Sequence, residues 1–274
     1  MRSLAFMNVA GKVVVVTGGG NGIGQQVVLE LLRRQARVAA VDIRGESLDE
    51  TMKLAGATDR LATFVTDITD RAATEALPEK VIAAHGAVDG LINVAGIIQP
   101  FVKLNELDYE VIQRVINVNL YGTIHMVKAF LPHLLKRPVA HIANVSSMGG
   151  FLPVPGQTIY GASKAAVKLM TEGLYAELLD TNVGVSVVFP GAVATEITSN
   201  SGVEIPGGIP NEEEMRARTT SPEDAAKIIL DGIADDELQI FVGRDSRTMN
   251  LLNRVSPKRS THLIYKQMKS LLSS

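Results

Sequence analysis

Residues 12–24 read KVVVVTGGGNGIG, and their reading decides the fold. Residues 12–17 are almost all valine, the pattern of a strand buried on both faces of a parallel sheet. From residue 22 to 34 the apolar side chains Ile23, Val27, Val28, Leu31 and Leu32 recur at helical spacing. Between strand and helix stand Gly18, Gly19, Gly20, Asn21, Gly22 and Gly24. Glycine lets backbone amides come close to a phosphate, and the following helix turns its positive end to the same place. A glycine-rich turn alone is a weak signal. A turn between the first strand and first helix of a doubly wound sheet points to a dinucleotide. The spacing here is G-x-x-x-G-x-G.

Outward from this stretch, short β-rich runs alternate with helical patterns along the chain. Further strands are expected at 37–42, 61–66, 88–95, 139–146, 183–189 and 237–242. Helices are expected at 70–85 with Asp70 as cap, at 106–135 with a late interruption at Pro132, and at 158–179. Another is expected at 222–234, with Ser221 as cap and Pro222 in the first turn. This alternation predicts the α/β class: a doubly wound, parallel, seven-stranded Rossmann-like sheet in a single domain. Residues 1–10 read as an N-terminal extension, 11–243 as the dinucleotide-binding domain, and 244–274 as a basic C-terminal extension of it. Residues 195–221 carry Gly202, Pro206, Gly207, Gly208 and Pro210 and read as a lid loop.

Composition narrows the chemistry. The 274 residues include no cysteine, which excludes disulfides, thiolate catalysis and Cys-ligated metals. A formal net charge of −2 argues against a whole-chain nucleic-acid footprint. No window approaches the roughly 20 apolar residues of a membrane span, and the opening residues do not read as a signal peptide. His85, His125, His133, His141 and His262 show no metal-ligand spacing beside a carboxylate, so no metal is expected. Ser146 and Ser147 do not sit in a G-x-S-x-G elbow.

The second strand ends at Asp42, about 20 residues past the glycines, where a carboxylate can bind ribose hydroxyls and repel a 2′-phosphate. Asn21 and Ile43 stand where basic residues would suggest NADP, although Arg44 lies close by. Tyr160 and Lys164, in YGASK, are four apart and share a helix face. A nearby ammonium favours the phenolate and lowers its pKa, giving an acid/base suited to alcohol and ketone chemistry. Ser147 follows strand five at the carboxyl edge, with Ser146 as its rival for a substrate oxygen.

With these residues in view, the chain resembles the main single-domain branch of the short-chain dehydrogenases/reductases over about residues 11–242. Besides the glycine turn, YGASK and Ser147, the likeness rests on Asp67-Ile68, NVAG at 93–96, Asn119 and PGAVAT at 190–195. The resemblance implies that Gly18, Gly22 and Gly24 shape the pyrophosphate turn, with Asn21 and Ile23 beside it. It implies Asp42 and Ile43 at the adenosine ribose, and Asp67 and Ile68 at the adenine. Asn93, Ala95 and Gly96 would line the middle of the cofactor, and Pro190, Gly191, Val193 and Thr195 would border the nicotinamide. Tyr160 would be the acid/base, Lys164 would hold the nicotinamide ribose and lower the tyrosine pKa, and Ser147 would orient the substrate oxygen. Asn119 is similar to the family residue whose helix distortion serves a proton relay. Val94 departs from the family, which usually has a second asparagine there.

The implied activity is NAD-preferring hydride transfer between nicotinamide and a secondary alcohol or ketone. Ile97, Ile98, Met148 and Phe151, with the lid, suggest an apolar substrate, steroid-like or lipid-derived. The alternatives are an NADP-dependent carbonyl reductase and, from another class, a non-catalytic dinucleotide-binding sensor or scaffold. A cytoplasmic homodimer or homotetramer acting on a small molecule is expected, without nucleic acid and without membrane contact. In the tail, Leu263, Ile264, Met268, Leu271 and Leu272 can form an apolar helix face among Arg244, Arg247, Arg254, Lys258, Arg259, Lys266 and Lys269. Family members that reduce acyl-carrier-protein substrates normally end soon after strand seven, so the tail argues against that role. Covering the active site, contacting a subunit, touching an anionic surface and simple packing all stay open for it.

Overall fold

The computed structural model of the chain describes residues 8–56, 58–195, 197–203 and 219–272. Its strands are β1 (Val13–Thr17), β2 (Arg37–Asp42), β3 (Leu61–Val65), β4 (Gly90–Asn93), β5 (Ala140–Val145), β6 (Val183–Pro190) and β7 (Gln239–Val242). They form one parallel seven-stranded sheet in the order β3-β2-β1-β4-β5-β6-β7. The expected α/β doubly wound, Rossmann-like single domain is therefore what the chain forms. β1 pairs with β2 on one side and β4 on the other, so the loops after β1 and β4 part and open a crevice at the carboxyl edge.

The valines of β1 show why the sheet is covered twice. All five residues of the strand are buried. Val14 and Val16 enter one core with Val27, Leu31, Ile229 and Ile233. Val13 and Val15 enter the other with Leu77, Met126, Phe130 and Leu174. Successive side chains point to opposite faces, so an all-apolar strand needs helices on both. One face is covered by α1 (Gly22–Arg33) and α9 (Pro222–Ala234). The other is covered by α4 (Leu77–His85), α6 (Thr123–Leu134) and α7 (Thr158–Glu177).

Several helical expectations need correction. α2 (Gly45–Ala55) was not read from sequence; it buries little besides Leu48 and Thr51 and so lacks a strong apolar stripe. The single helix expected at 70–85 is two, α3 (Arg71–Glu75) and α4. The break falls at Ala76, just before Pro78, which has no N–H to continue the ladder but suits the first turn of a new helix. Asp70 does cap α3, its side chain accepting from the Ala73 N–H. The region 106–135 resolves into α5 (Tyr109–Ile116), a π-helical segment (Asn117–Gly122) and α6. Pro132 does not interrupt α6, because it lies in the final turns and the helix runs on to Leu134.

Beyond β7 the tail folds into α10 (Arg244–Val255) and α11 (Pro257–Met268). Only part of the expected apolar face is covered: Ile264 is buried, Met268 and Leu272 are half-buried, and Leu263 is exposed. Leu271 lies outside the described side chains. Of the expected lid, a short helix α8 (Ile197–Asn200) is described, while 204–218 lies outside the described residues, as do residues 1–7 of the expected N-terminal extension.

Candidate active site

The crevice after β1 and β4 is a cleft of about 450 Å³, within the usual range for small-molecule sites. At one end lies the glycine turn. Gly18 has φ +68°, a left-handed conformation that a side chain disfavours. A β-carbon on Gly24 would overlap the Gly18 carbonyl, so only glycine lets α1 start this close to the turn. The turn is braced from below. Gly19 N–H donates to Val41 O (3.0 Å), and the buried Thr51 hydroxyl donates to Gly19 O (3.0 Å). Gln25 Nε2 donates to Gly20 O (3.1 Å). Thr51 sits on the helix that was not read from sequence, and its role was missed with it.

Asp42 closes this end. Its carboxylate accepts from Gly20 N–H (3.0 Å) and Arg44 N–H (3.1 Å). The Arg44 guanidinium reaches across the mouth and donates to Asn200 Oδ1 on α8 (2.8 Å). Asn21, Gly22, Ile23 and the exposed Ile43 line the same end, and Asp67 and Ile68 line it from the β3 side. Arg114, Val118 and Asn200 also border the cleft; nothing in the sequence pattern singled them out.

In the middle, Thr17 Oγ1 accepts from Val94 N–H (3.0 Å) and Ala95 N–H (3.2 Å), tying the first turn to the β4 loop. Ala95 and Gly96 line the cleft. Asn93 does not: its amide donates to Asn144 Oδ1 (2.9 Å) beneath the surface, at 3% exposure. Its expected place along the cofactor is thus corrected to support beneath the cleft floor, because strand alternation turns it into the protein.

At the far end, Ser147, Tyr160 and Lys164 meet Pro190, Gly191, Val193 and Thr195 along one wall. Ser147 follows β5 and Tyr160 lies in the first turn of α7. Their side chains hydrogen-bond, and Ser147 Oγ also accepts from Gly149 N–H (3.0 Å). Ser146, the rival, also borders the cleft, but it is buried and its hydroxyl is engaged, donating to Lys164 O (2.7 Å). The start of α7 is held from outside by Gln99, whose Oε1 accepts from Ile159 N–H (2.8 Å) and Tyr160 N–H (3.0 Å). Gln99 is fully buried and orients the helix that carries the tyrosine, a role that no local pattern announces.

Lys164 is almost fully buried, and its ammonium donates to Val145 O (3.0 Å). Burial pulls its pKa down to about 8. Burial pushes the Tyr160 phenol above its ordinary value, and the Ser147 hydrogen bond opposes this. The expectation that Lys164 lowers the tyrosine pKa is corrected for the protein alone. The low-polarity surroundings disfavour both charged forms, and the ammonium is directed to a backbone carbonyl.

Asn119 lies in the π-helical segment and is fully buried, so it does not line the cleft. Its side chain accepts from Ile97 N–H (2.9 Å) and donates to Ile97 O (2.9 Å) and Ser163 Oγ (2.9 Å). It ties the β4 loop to α7 directly behind Lys164. Met148 is not among the residues that line the cleft; it opens the short 3-10 turn that follows Ser147.

These residues together suit a nicotinamide dinucleotide. The glycine turn offers amides at a helix N-terminus, Asp42 offers an acceptor at one end, and two hydroxyls and an ammonium stand at the other. Among the described residues, no group of His, Cys, Asp and Glu could hold a metal ion. No helix among them is long and apolar enough to cross a membrane.

Comparison with known proteins agrees with this geometry. The family model for short chain dehydrogenases matches residues 12–205. The chain is 35% identical over 256 residues to a putative oxidoreductase, SadH, of Mycobacterium tuberculosis, covering 89% of this chain and 91% of that protein. It is 35% identical over 248 residues to the 3-oxoacyl-[acyl-carrier-protein] reductase FabG of Thermotoga maritima, covering 87% and 96%. A short-chain dehydrogenase/reductase from Burkholderia phymatum, solved in complex with NAD, superimposes with a TM-score of 0.81 at 27% identity, covering 92% of this chain and 96% of that one. A short chain dehydrogenase from Burkholderia cenocepacia, in complex with NADP, gives 0.79 at 26%, covering 94% and 99%. The chain belongs to the short-chain dehydrogenase/reductase family and is an oxidoreductase of that family.

Proposed function

We propose that this protein transfers a hydride between a nicotinamide cofactor, NAD in preference to NADP, and a secondary alcohol or its ketone. The observation that carries the reading is the hydrogen-bonded pair of Ser147 and Tyr160 at the end of a dinucleotide-shaped cleft, with Lys164 on the same helix face. A bound nicotinamide would supply or accept the hydride. Gly18, Gly22, Gly24, Asp42 and Thr195 would hold the cofactor, with Lys164 at its nicotinamide ribose.

The chain's own residues handle the oxygen and its proton. Ser147 Oγ orients the substrate oxygen beside Tyr160. In reduction the tyrosine hydroxyl gives its proton to that oxygen; in oxidation it takes one. The buried phenol keeps its proton at neutral pH, so the protein alone is set to donate. The preference for NAD rests on Asp42, a carboxylate that would meet a 2′-phosphate with repulsion, and on Arg44 being engaged by Asn200. Ile97, Val118 and Ile197 give the cleft an apolar flank, which suits an apolar substrate, steroid-like or lipid-derived. The protein acts in this reading as a homodimer or homotetramer, for which light scattering is the check.

The test is a panel of secondary alcohols and ketones followed by nicotinamide absorbance with both cofactors. Turnover with NAD exceeding that with NADP on apolar members is the expected result. Tight NAD binding without turnover across the panel would instead favour a sensor, and a tenfold preference for NADPH, about 1.4 kcal/mol, would make the protein a carbonyl reductase of the other cofactor class.

A further inference from the structure

The tail after β7 holds the loop at the nicotinamide end of the cleft. At the start of α10, Asp245 Oδ2 accepts from the Ala192 N–H (2.8 Å). The next residue, Ser246, is fully buried and donates from its hydroxyl to Phe189 O (2.8 Å). Two adjacent side chains thus take hold of β6 and the loop leaving it. The Asp245 carboxylate lies so close to Gly191 and Gly243 that a β-carbon at either position would collide with it. Thr220 completes the clamp: its N–H donates to Ala192 O (2.9 Å), and its carbonyl accepts from Ala194 N–H (3.1 Å). Gly191, Val193 and Thr195 of this loop line the cleft. At the other end of α10, Asn253 Nδ2 donates to Phe151 O (2.9 Å), just beyond the Ser147 loop, and Ser260 of α11 donates to Asn253 Oδ1 (2.7 Å).

We propose that Asp245 is a positioning residue for the cofactor: by accepting the Ala192 N–H it fixes the 190–195 loop against the nicotinamide half of the dinucleotide. This rests on the cleft being a nicotinamide-dinucleotide site. Without the carboxylate, Ala192 loses its acceptor, and the loop is held by Thr220 and by Gly191 N–H donating to Val242 O (2.9 Å), with Ser246 on β6 behind it. The affected wall would face the nicotinamide and its ribose; its last residue, Thr195, also borders Gly22, 3.4 Å from a β-carbon placed there, while Asp42 is held separately by the Gly20 and Arg44 N–H groups. The consequence is therefore expected to be larger for the nicotinamide half than for the rest of the ligand.

The full-length protein is titrated with whichever of NADH and NADPH the wild type binds more tightly, and with the matching fragment lacking nicotinamide, ADP-ribose or its 2′-phosphate. For Asp245→Ala the reduced dinucleotide is expected to bind about fivefold more weakly, the scale of one partly exposed charge-assisted hydrogen bond. The fragment is expected to bind within about twofold of wild type, since the glycine turn is braced by Val41 O, Thr51 and Gln25 independently of this loop. Asp245→Asn, which keeps an acceptor oxygen, restores dinucleotide binding. Asn253→Ala loosens the same helix from its far end and leaves dinucleotide binding unchanged. Equal weakening of dinucleotide and fragment, no weakening of either, a loss in Asp245→Asn as large as in Asp245→Ala, or the same loss in Asn253→Ala would each overturn the proposal. Failure of the wild type to bind any of these ligands would overturn the cofactor reading itself.

Discussion

The ammonium nitrogen of Lys164 lies 3.0 Å from the point that a β-carbon on Gly96 would occupy, with Asn119 Oδ1 3.2 Å from the same point. The β4 loop, the π-helical segment and α7 meet there so tightly that a methyl group fits only if a neighbour gives by a few tenths of an ångström. Asn119 cannot yield, since its oxygen is held by Ile97 N–H. Gly96→Ala must therefore push the Lys164 side chain aside. Turnover is expected to fall by about tenfold or more, because sub-ångström displacement of positioning groups is costly in catalysis. The thermal midpoint should move little, since the far end of a flexible side chain absorbs the strain. Turnover and melting measured on the same preparation check this.

Tyr160→Phe removes the hydroxyl that is proposed to exchange a proton beside Ser147. The expected loss in kcat is at least about 10²-fold. Cofactor titration should stay within a few-fold of wild type, because the ring still packs on the same wall. Turnover close to normal in this variant would contradict the acid/base assignment.

Lys164 gives the cofactor site a pH dependence. Burial lowers its pKa to about 8, so in the ligand-free protein it is cationic below that pH and neutral above it. If the ammonium holds the nicotinamide ribose, cofactor affinity is full on the acid side and declines as pH rises through about 8. Lys164→Met should bind more weakly and show no such decline. Fluorescence titration of NADH at a series of pH values separates the two profiles.

Asp42 accepts two backbone N–H groups and faces the open end of the cleft. Asp42→Ala removes the charge that would repel a 2′-phosphate and leaves Arg44 near it. The ratio of NADPH to NADH affinity is expected to rise by about tenfold, between the values of one charge pair in bulk water and near a protein surface. Parallel titrations with both reduced cofactors measure the ratio directly.

A separate pH effect concerns stability. His85 is buried below β2, with Nε2 donating to Val38 O (3.1 Å). Burial lowers its pKa, Arg37 adds to the lowering, and the Val38 hydrogen bond opposes them. The unfolded chain therefore takes up the proton first as pH falls below 6.5. Stability is complete above that value and declines as pH drops toward the lowered one. His85→Gln keeps a donor for Val38 without titrating. Denaturant midpoints across this range should slope less for the variant than for wild type.

How much of this was legible in the sequence can be followed residue by residue. Asp70 and Ser221 were readable as caps, because a cap bonds within three residues of itself. α2 was not readable, because it packs on the sheet edge and buries few side chains. Tyr160 and Lys164 share a helix face by spacing alone, and Ser147 follows from its place at a strand end. Asn93 and Met148 carried the right neighbours, yet neither lines the cleft, and the Asn93 amide is spent on Asn144.

By itself the chain determined the strand–turn–helix units, the glycine turn, the parallel sheet and the types of the proposed catalytic residues, since periodicity and i,i+4 spacing act over short distances. Only the tertiary structure decided which groups hold the site in shape. Gln99 reaches Tyr160 across 61 positions, and Asp245 reaches Ala192 across 53. It also decided that Lys164 turns to Val145 and that burial, rather than an ammonium, governs the phenol. Such contacts and their electrostatics depend on how distant segments pack, and no pattern within one segment encodes the polarity of what will surround it.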